Sequence, residues 1–387
     1  MTKSGEKRMS QAAYQICNNC IMDTSDPNIT FDSKGVCERC NQFYNEILPS
    51  WPKGECAQKE LNKIVDEIKK DGKSKEYDSI LGLSGGFDSS YMLHFAVKDL
   101  GLRPLVFHVD AGWNTPFATE NIKKMVNNLK IDLKVEVIDW EEMKDFQLAF
   151  FKSGVPHLDI PQDHAFVATL YNYAEKHGIK YILNGGNIST EVIVNPSAWG
   201  YWGTDLVHLN DIIDRFCKAP LKKYPFSHVL RHKVYLRYVK KIQVLKLLNY
   251  IPYIKEDAEK LLKRKYNWTP YPQKHFESIM TKFLEGYWLP NRFGYDIRIA
   301  QFSSLILTNQ MTREEALEKL SFPALSKEEG EELFAKIARM LEISSDELMG
   351  YFTIPLKTYK DYKNRENMFN FGAKIMYMLK LDKLIRK

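Results

Sequence analysis

Seven consecutive residues, Ser84-Gly85-Gly86-Phe87-Asp88-Ser89-Ser90, carry the clearest chemical signal in the chain. An apolar run, Tyr77 to Leu83, precedes them and an apolar-periodic run, Tyr91 to Leu100, follows, which predicts strand, tight turn, helix. Two adjacent glycines let a backbone approach a bound group closely. Ser84, Ser89 and Ser90 add hydroxyl donors, and the helix start adds the positive end of its dipole. Together these groups suit the oxygens of a pyrophosphate. The G-x-x-x-x-G-K-[ST] spacing of the Walker loop is absent. A glycine turn that only joins two elements is the plainer alternative; the full pattern in its strand–helix context favours a nucleotide.

Four other groups of residues could do chemistry. Cys17, Cys20, Cys37 and Cys40 form two C-x-x-C pairs separated by sixteen residues, the spacing of a zinc ribbon. Each pair places two thiolates on one turn, and two such turns make the closed tetrahedral site of a structural zinc. A disulfide pair or an iron–sulfur cluster is the alternative. The run Asn184-Gly185-Gly186-Asn187-Ile188-Ser189-Thr190-Glu191 again permits close backbone approach and ends on a carboxylate. Trp199, Tyr201, Trp202 and Asp205 combine aromatic faces with an acid, which suits a sugar ring or, equally, an aromatic loop packed on the core. Lys274, His275 and Glu277 lie among aromatics, ahead of Phe283-Leu284-Glu285-Gly286-Tyr287-Trp288-Leu289-Pro290 and Gly294-Tyr295-Asp296-Ile297-Arg298, a density of charge expected of an active-site wall.

The elements that must position these groups alternate. Helix 57–70 is followed by strand 77–83, a helix, strand 104–109, helix 117–129, strand 133–138, a helical region 141–152, helix 164–177 and strand 180–184. This rhythm predicts an α/β fold with a doubly wound parallel sheet, whose ligands bind at the carboxyl ends of the strands. Asp110, just after strand 104–109, stands at such an end, either to accept from a ribose hydroxyl or to serve its own loop. Three regions are expected: a zinc-ribbon segment 1–56, a nucleotide-binding domain 57–215, and a mostly helical region 216–387 that completes the substrate site. Between Lys218 and Lys241 stand eight Lys or Arg and no acid, a stretch for phosphate groups or a solvated helix face.

Hydrophobic residues make up 44% and charged residues 27% of 387, which fits a soluble globular protein. No apolar run approaches the roughly 20 residues that span a bilayer, and residues 1–16 show no signal-peptide core, so a cytoplasmic location without a membrane span is expected. The two lone cysteines, Cys56 and Cys217, are expected to be buried as small apolar residues.

The SGGFDSS loop resembles the pyrophosphate loop of the ATP-pyrophosphatases (the HUP, or adenine nucleotide alpha hydrolase-like, fold), which split ATP into AMP and pyrophosphate. Taken in order, the C-x-x-C pairs, SGGFDSS, GGNISTE, KHFES and GYWLP…FGYDIR resemble the N-acetyl sugar amidotransferases of surface-polysaccharide, O-antigen and nonulosonic-acid pathways, over roughly residues 15–320. These in turn are similar to the synthetase half of asparagine synthetase. The resemblance implies conversion of a sugar N-acetyl group to an acetamidino group, with ATP activating the amide oxygen and ammonia displacing AMP. It implies ATP bound by Ser84, Gly85, Gly86, Asp88, Ser89, Ser90, Asp110, Gly185, Gly186 and Glu191, with Mg2+ held by Asp88 and Glu191. Asp88 and Lys274 would be catalytic, Lys274 countering phosphate charge, and His275 or Glu277 would take the ammonia proton.

The first cysteine is Cys17, within the metal motif, and neither lone cysteine lies in a glutaminase signature. A separate glutaminase subunit, similar to that of imidazole glycerol phosphate synthase, is therefore expected as partner, with an N-acetylated sugar, free, nucleotide-linked or lipid-linked, as substrate and no nucleic acid. Two alternatives stand beside this reading. A tRNA-thiolating enzyme also joins cysteine pairs to such a loop but needs further thiolates near its site. A non-catalytic ATP-binding scaffold would have no use for the charged groups at the strand ends.

Overall fold

The structure, a computed structural model, describes residues 14–378. Most of residues 1–16, in which no signal-peptide core is expected, and residues 379–387, expected to be helical, fall outside them. Five strands form one parallel sheet: β1 (Ser79–Gly82), β2 (Pro104–Asp110), β3 (Leu133–Val137), β4 (Tyr181–Leu183) and β5 (Gln243–Leu245), in the order β3-β2-β1-β4-β5. Leu81 pairs with Val106 on one side and Leu183 on the other. The chain winds outward from β1 to β3, then returns to place β4 on the opposite side of β1. That reversal is the crevice where open α/β sheets bind ligands.

Strand residues alternate between faces, so the sheet is buried twice. Ile80, Leu105, Phe107 and Ile182 pack on one side with helices Trp140–Ser153 and Ile160–Lys176. Leu81, Val106 and Leu183 pack on the other with helices Gly54–Asp71, Pro116–Leu129 and Lys255–Tyr266. β5 lies inside the stretch expected to be helical. It has three residues, sits at the sheet edge, and is half exposed, so its apolar pattern is too short to read.

The first core also takes in the cysteine segment and the helices that follow Arg298, as far as Tyr362. Buried Cys17 and Cys40 share it with Ala300, Ile337 and Leu348. Arg313 Nε donates to Cys17 O (3.3 Å) and Cys20 O (3.0 Å), and Ile21 N donates to Ser303 Oγ (3.3 Å). The cysteine segment is therefore docked on the C-terminal helices. Among the described residues no helix is long and apolar enough to cross a membrane.

Candidate active site

The loop after β1 has the geometry its glycines suggested. Gly85 has φ +79°, and a Cβ there would lie 2.4 Å from Ala118 O; one on Gly86 would lie 2.2 Å from Glu277 Oε1. Gly86 starts helix Phe87–His94, which no side chain caps. Ser84 and Ser89 hydroxyls lie 3.0 Å apart, and Ser84 Oγ accepts from Gly86 N (3.1 Å). Ser90 corrects the expectation. It is fully buried and lines neither cavity, because the next step around the helix turns it away from the loop into the interior.

The loop after β4 closes against this one: a Cβ on Gly185 would lie 2.7 Å from Asp88 O. Lys274 joins the two. Its Nζ lies 3.0 Å from Asp88 Oδ2 and 2.5 Å from Glu191 Oε1. Asp88 Oδ1 accepts from Tyr253 OH (2.9 Å) and Asn187 Nδ2 (3.3 Å), while Asn187 Oδ1 caps the helix Ile188–Glu191 through Thr190 N (2.9 Å). Burial works against ionising Asp88, but the Lys274 ammonium outweighs it and holds the carboxyl below its usual range. Burial likewise works against the Lys274 charge, and Asp88 and Glu191 overcome it, raising that pKa. Tyr253 and the neighbouring Lys255, which burial lowers, were not singled out in the sequence; they follow β5, whose place at the sheet edge was not legible.

Two cavities meet here. One, of about 640 Å³, is lined by Gly86, Asp88, Gly185, Glu191, Lys255 and Lys274. The other, of about 830 Å³, runs from Leu83, His108 and Asn114 to Trp199, Tyr201 and Trp202. Ser84, His275 and Glu277 line both. The segment carrying them is strapped to the loop after β2: Thr115 N and Oγ1 each donate to Glu277 O (3.0 Å), and Ile279 N donates to Trp113 O (2.7 Å). That strap brings Ser84 Oγ within 3.4 Å of Glu277 Oε1. Burial raises the Glu277 carboxyl above its ordinary range, with His275 pulling the other way. His275 adopts φ +67°, a conformation that bulky residues keep only where surroundings impose it. Burial disfavours its charge, yet Glu285 Oε1, 3.0 Å from Nδ1, outweighs that and lifts the imidazole to about 9.

The larger cavity holds Asp159 and Asp163, which sequence reasoning missed, and Glu285, which lies in the charged segment expected to form an active-site wall. Asp159, Asp163 and Glu285 line it with His157. Burial pushes Asp163 up to about 6 and His157 down to about 4. No motif marks Asp159 and Asp163; the packing of helix Ile160–Lys176 brings them to the cavity that Glu277 lines. Two expected ligand residues have other tasks. Asp205 is fully buried at the start of helix Leu206–Phe216, accepting from Val207 N (3.1 Å), Tyr201 OH (2.8 Å) and Arg365 N (2.7 Å). It lines neither cavity. Asp110 accepts from Gly112 N and Asn114 Nδ2, both at 2.9 Å, and so serves its own loop. His108, which burial keeps neutral, accepts at Nε2 from Asn114 (2.9 Å) and donates from Nδ1 to Leu83 O (2.8 Å).

The four clustered cysteines stand apart from this site. Their Sγ atoms lie within 4.8 Å of one another, at 3.8 Å for Cys17–Cys40, 3.7 Å for Cys20–Cys37 and 3.6 Å for Cys37–Cys40. Disulfides need about 2.05 Å, so that alternative is excluded for these pairs, and the set can hold a metal. Cys56 is exposed rather than buried, on the solvent face of helix Gly54–Asp71, and Cys217 is half-buried.

The doubly wound parallel sheet, with an S-G-G-x-D-S loop after its first strand, is a fold of the ATP-pyrophosphatase type. Residues 79–157 match the phosphoadenosine phosphosulfate reductase domain family. Residues 277–376, which begin at Glu277, match the family described as LPS biosynthesis protein WbpG-like, C-terminal domain. An uncharacterized protein of Methanocaldococcus jannaschii, MJ1599, is 21% identical over 328 residues, covering 82% of this chain and 97% of its own. Among solved structures, the NH3-dependent NAD synthetase of Campylobacter jejuni covers 70% of this chain and 99% of its own at 18% identity and a TM-score of 0.29. The U34-tRNA thiolase NcsA of Methanococcus maripaludis covers 85% and 88% at 15% identity and a TM-score of 0.34.

Proposed function

We propose that this protein is an ATP-dependent amidotransferase that converts the N-acetyl group of a sugar to an acetamidino group in surface-glycan synthesis, the O-antigen type included. One observation carries the reading: a pyrophosphate-type loop and an aromatic-walled cavity share Ser84, His275 and Glu277, so a nucleotide phosphate and a second substrate can meet there. The WbpG-like match over 277–376 supports the pathway.

An amide carbonyl is a poor electrophile. In this reading its oxygen attacks the α-phosphorus of ATP, and the bond to pyrophosphate breaks. The ammonia lone pair then attacks the imidate carbon, and the C–O bond breaks. AMP leaves carrying the former amide oxygen, and the sugar leaves as an amidine. Ser84, Ser89 and the glycine backbone bind the departing pyrophosphate, and Lys274 counters its charge. Glu277, made more basic by burial, takes the proton lost by ammonia, and His275 faces the charge that develops on the phosphate. Asp88 and Glu191 already share one cation, the Lys274 ammonium, and would hold Mg2+, which supplies charge neutralisation at the phosphates when bound. The cysteine cluster is assigned a structural zinc, since arms of about 2.3 Å to a tetrahedral ion give S···S edges of about 3.8 Å. Ammonia would come from a separate glutaminase in the cytoplasm.

Incubation with ATP, Mg2+, ammonium and a panel of N-acetylated sugars tests the reading. The expected result is AMP and pyrophosphate release that depends on one sugar. That sugar should show the mass change of oxygen replaced by NH, and 18O placed in its amide should appear in AMP. Release that depends only on tRNA would transfer the site to RNA modification. Against that outcome, neither Cys56 nor Cys217 lines either cavity.

A further inference from the structure

The basic stretch 218–241 plays no part in the site just described. Within it, residues Arg231–Val239 form a π-helix, with Lys240 N donating to Tyr235 O five residues back (3.1 Å). Bonding of the i→i+5 type stacks residues four and five apart on one face. That spacing aligns Leu230, Val234, Tyr235, Tyr238 and Val239, and all five are exposed, Val239 to 65%. Leu236 and His232, on the opposite side, are buried. An ordinary helical pitch would spread these five residues over about half the cylinder; the wider turn narrows them into one apolar strip facing solvent.

Cations frame the strip. Lys240 lies over the Tyr235 ring and Arg237 over that of Tyr238, each at 5.6 Å. Lys222, Lys223, Lys240 and Lys241 are exposed. Glu175 takes part of this charge, through Arg231 (2.5 Å) and Lys240 (3.5 Å), and Asp139 pairs with Lys223 (2.5 Å). No acid lies in the stretch itself. An apolar face rimmed by lysine and arginine, with tyrosines at its border, is the arrangement that lies in the headgroup layer of an anionic bilayer. Three exposed aliphatic side chains fit acyl chains better than nucleic acid, which offers phosphates and base faces but little to cover a leucine or valine.

We infer that the face Leu230–Val239 docks this protein on an anionic lipid surface, as a peripheral contact without a span. The inference does not depend on the reaction proposed above, although it would bring the site to a substrate carried on a lipid.

Cosedimentation of the full-length protein with phosphatidylcholine vesicles, with and without phosphatidylglycerol, tests it. Partitioning onto the anionic vesicles should be at least about tenfold greater and should fall as salt screens the lysines. The double variant Val234→Glu/Val239→Glu should lose it while keeping the wild-type circular dichroism and melting temperature, and Lys240→Glu/Lys241→Glu should weaken it. Equal, weak binding to both vesicle types overturns the proposal, as does vesicle binding undiminished in Val234→Glu/Val239→Glu. So does a wild-type dimer in light scattering that the same variant makes monomeric, since a second copy would then cover the strip. Retention on RNA that is lost only on charge reversal, without anionic-vesicle binding, makes the face a nucleic-acid surface and also overturns it.

Discussion

Lys274 Nζ lies 2.5 Å from Oε1 of Glu191, a residue 83 positions away in sequence and on the loop of a different strand. The same ammonium lies 3.0 Å from Asp88. One cation thus fills the gap between two carboxylates proposed for the metal, and Mg2+ entering would release Lys274 toward the phosphates.

Replacing Lys274 by Met should therefore have two separate effects. Mn2+, as a probe for Mg2+, should bind the nucleotide-free variant measurably in calorimetry but not the wild type. Pyrophosphate release should fall by about 10²–10³, the cost of losing one charge-stabilising donor. Equal Mn2+ affinity in both proteins would show that Lys274 does not occupy the metal position.

Gly85→Ala should be more harmful than its size suggests. The residue has φ +79°, and the new methyl would press on Ala118 O. Left-handed backbone costs a non-glycine residue about 1–2 kcal/mol before any clash. Urea titration should show at least that loss, and an ATP analogue should no longer bind, because the loop must open to relieve the contact.

Stability should depend on pH through His275. Its folded value of about 9 stands above the ordinary 6.5. Between those limits the folded state holds the extra proton, so this contribution is complete below about 6.5 and disappears as pH rises through about 9. Glu285→Gln removes the carboxylate responsible. NMR titration should then find the imidazole well below 9, and the alkaline loss of stability should flatten. An unchanged titration would assign the shift to another group.

A cavity-wall acid and a buried capping acid should separate by task. Asp163→Asn, at a cavity wall, should raise the KM for the sugar and leave the melting temperature near that of wild type. Asp205→Asn weakens a buried cap with three donors. It should cost about 1–3 kcal/mol in chemical denaturation, with substrate selectivity preserved.

Metal analysis should find one zinc per chain. Its removal by a chelator should lower the melting temperature sharply, because thiolate coordination is itself folding energy. Arg313→Ala should have a smaller effect of the same sign, since it loses only the hydrogen bonds to Cys17 O and Cys20 O.

Much of this arrangement was legible in the residues. The strand–loop–helix around Ser84–Ser90 announces itself because a buried parallel strand is continuously apolar and a tight phosphate loop admits little but glycine and small hydroxyls. The cysteine pairs are equally plain, since metal spacing is a local property of turns. Where the reading erred, a side chain had two plausible employers. Ser90 fits the loop pattern yet points into the core, and Asp205 sits among aromatics yet caps a helix. Local sequence does not distinguish these, because the choice depends on which way one bond faces in the packed protein. β5 escaped notice for a different reason: three edge residues between lysines carry too little apolar pattern to register.

By itself, then, the sequence determined the groups able to act and the alternating elements that carry them, because backbone conformation and hydrophobic period are set over a few neighbouring residues. Only the tertiary structure decided that Lys274 would stand between Asp88 and Glu191, that Thr115 would strap Glu277 against Ser84, and that Asp159, Asp163 and Glu285 would share one wall. Such contacts join residues tens to nearly two hundred positions apart. Their geometry follows from how the sheet closes and what packs on each face, which no local pattern encodes.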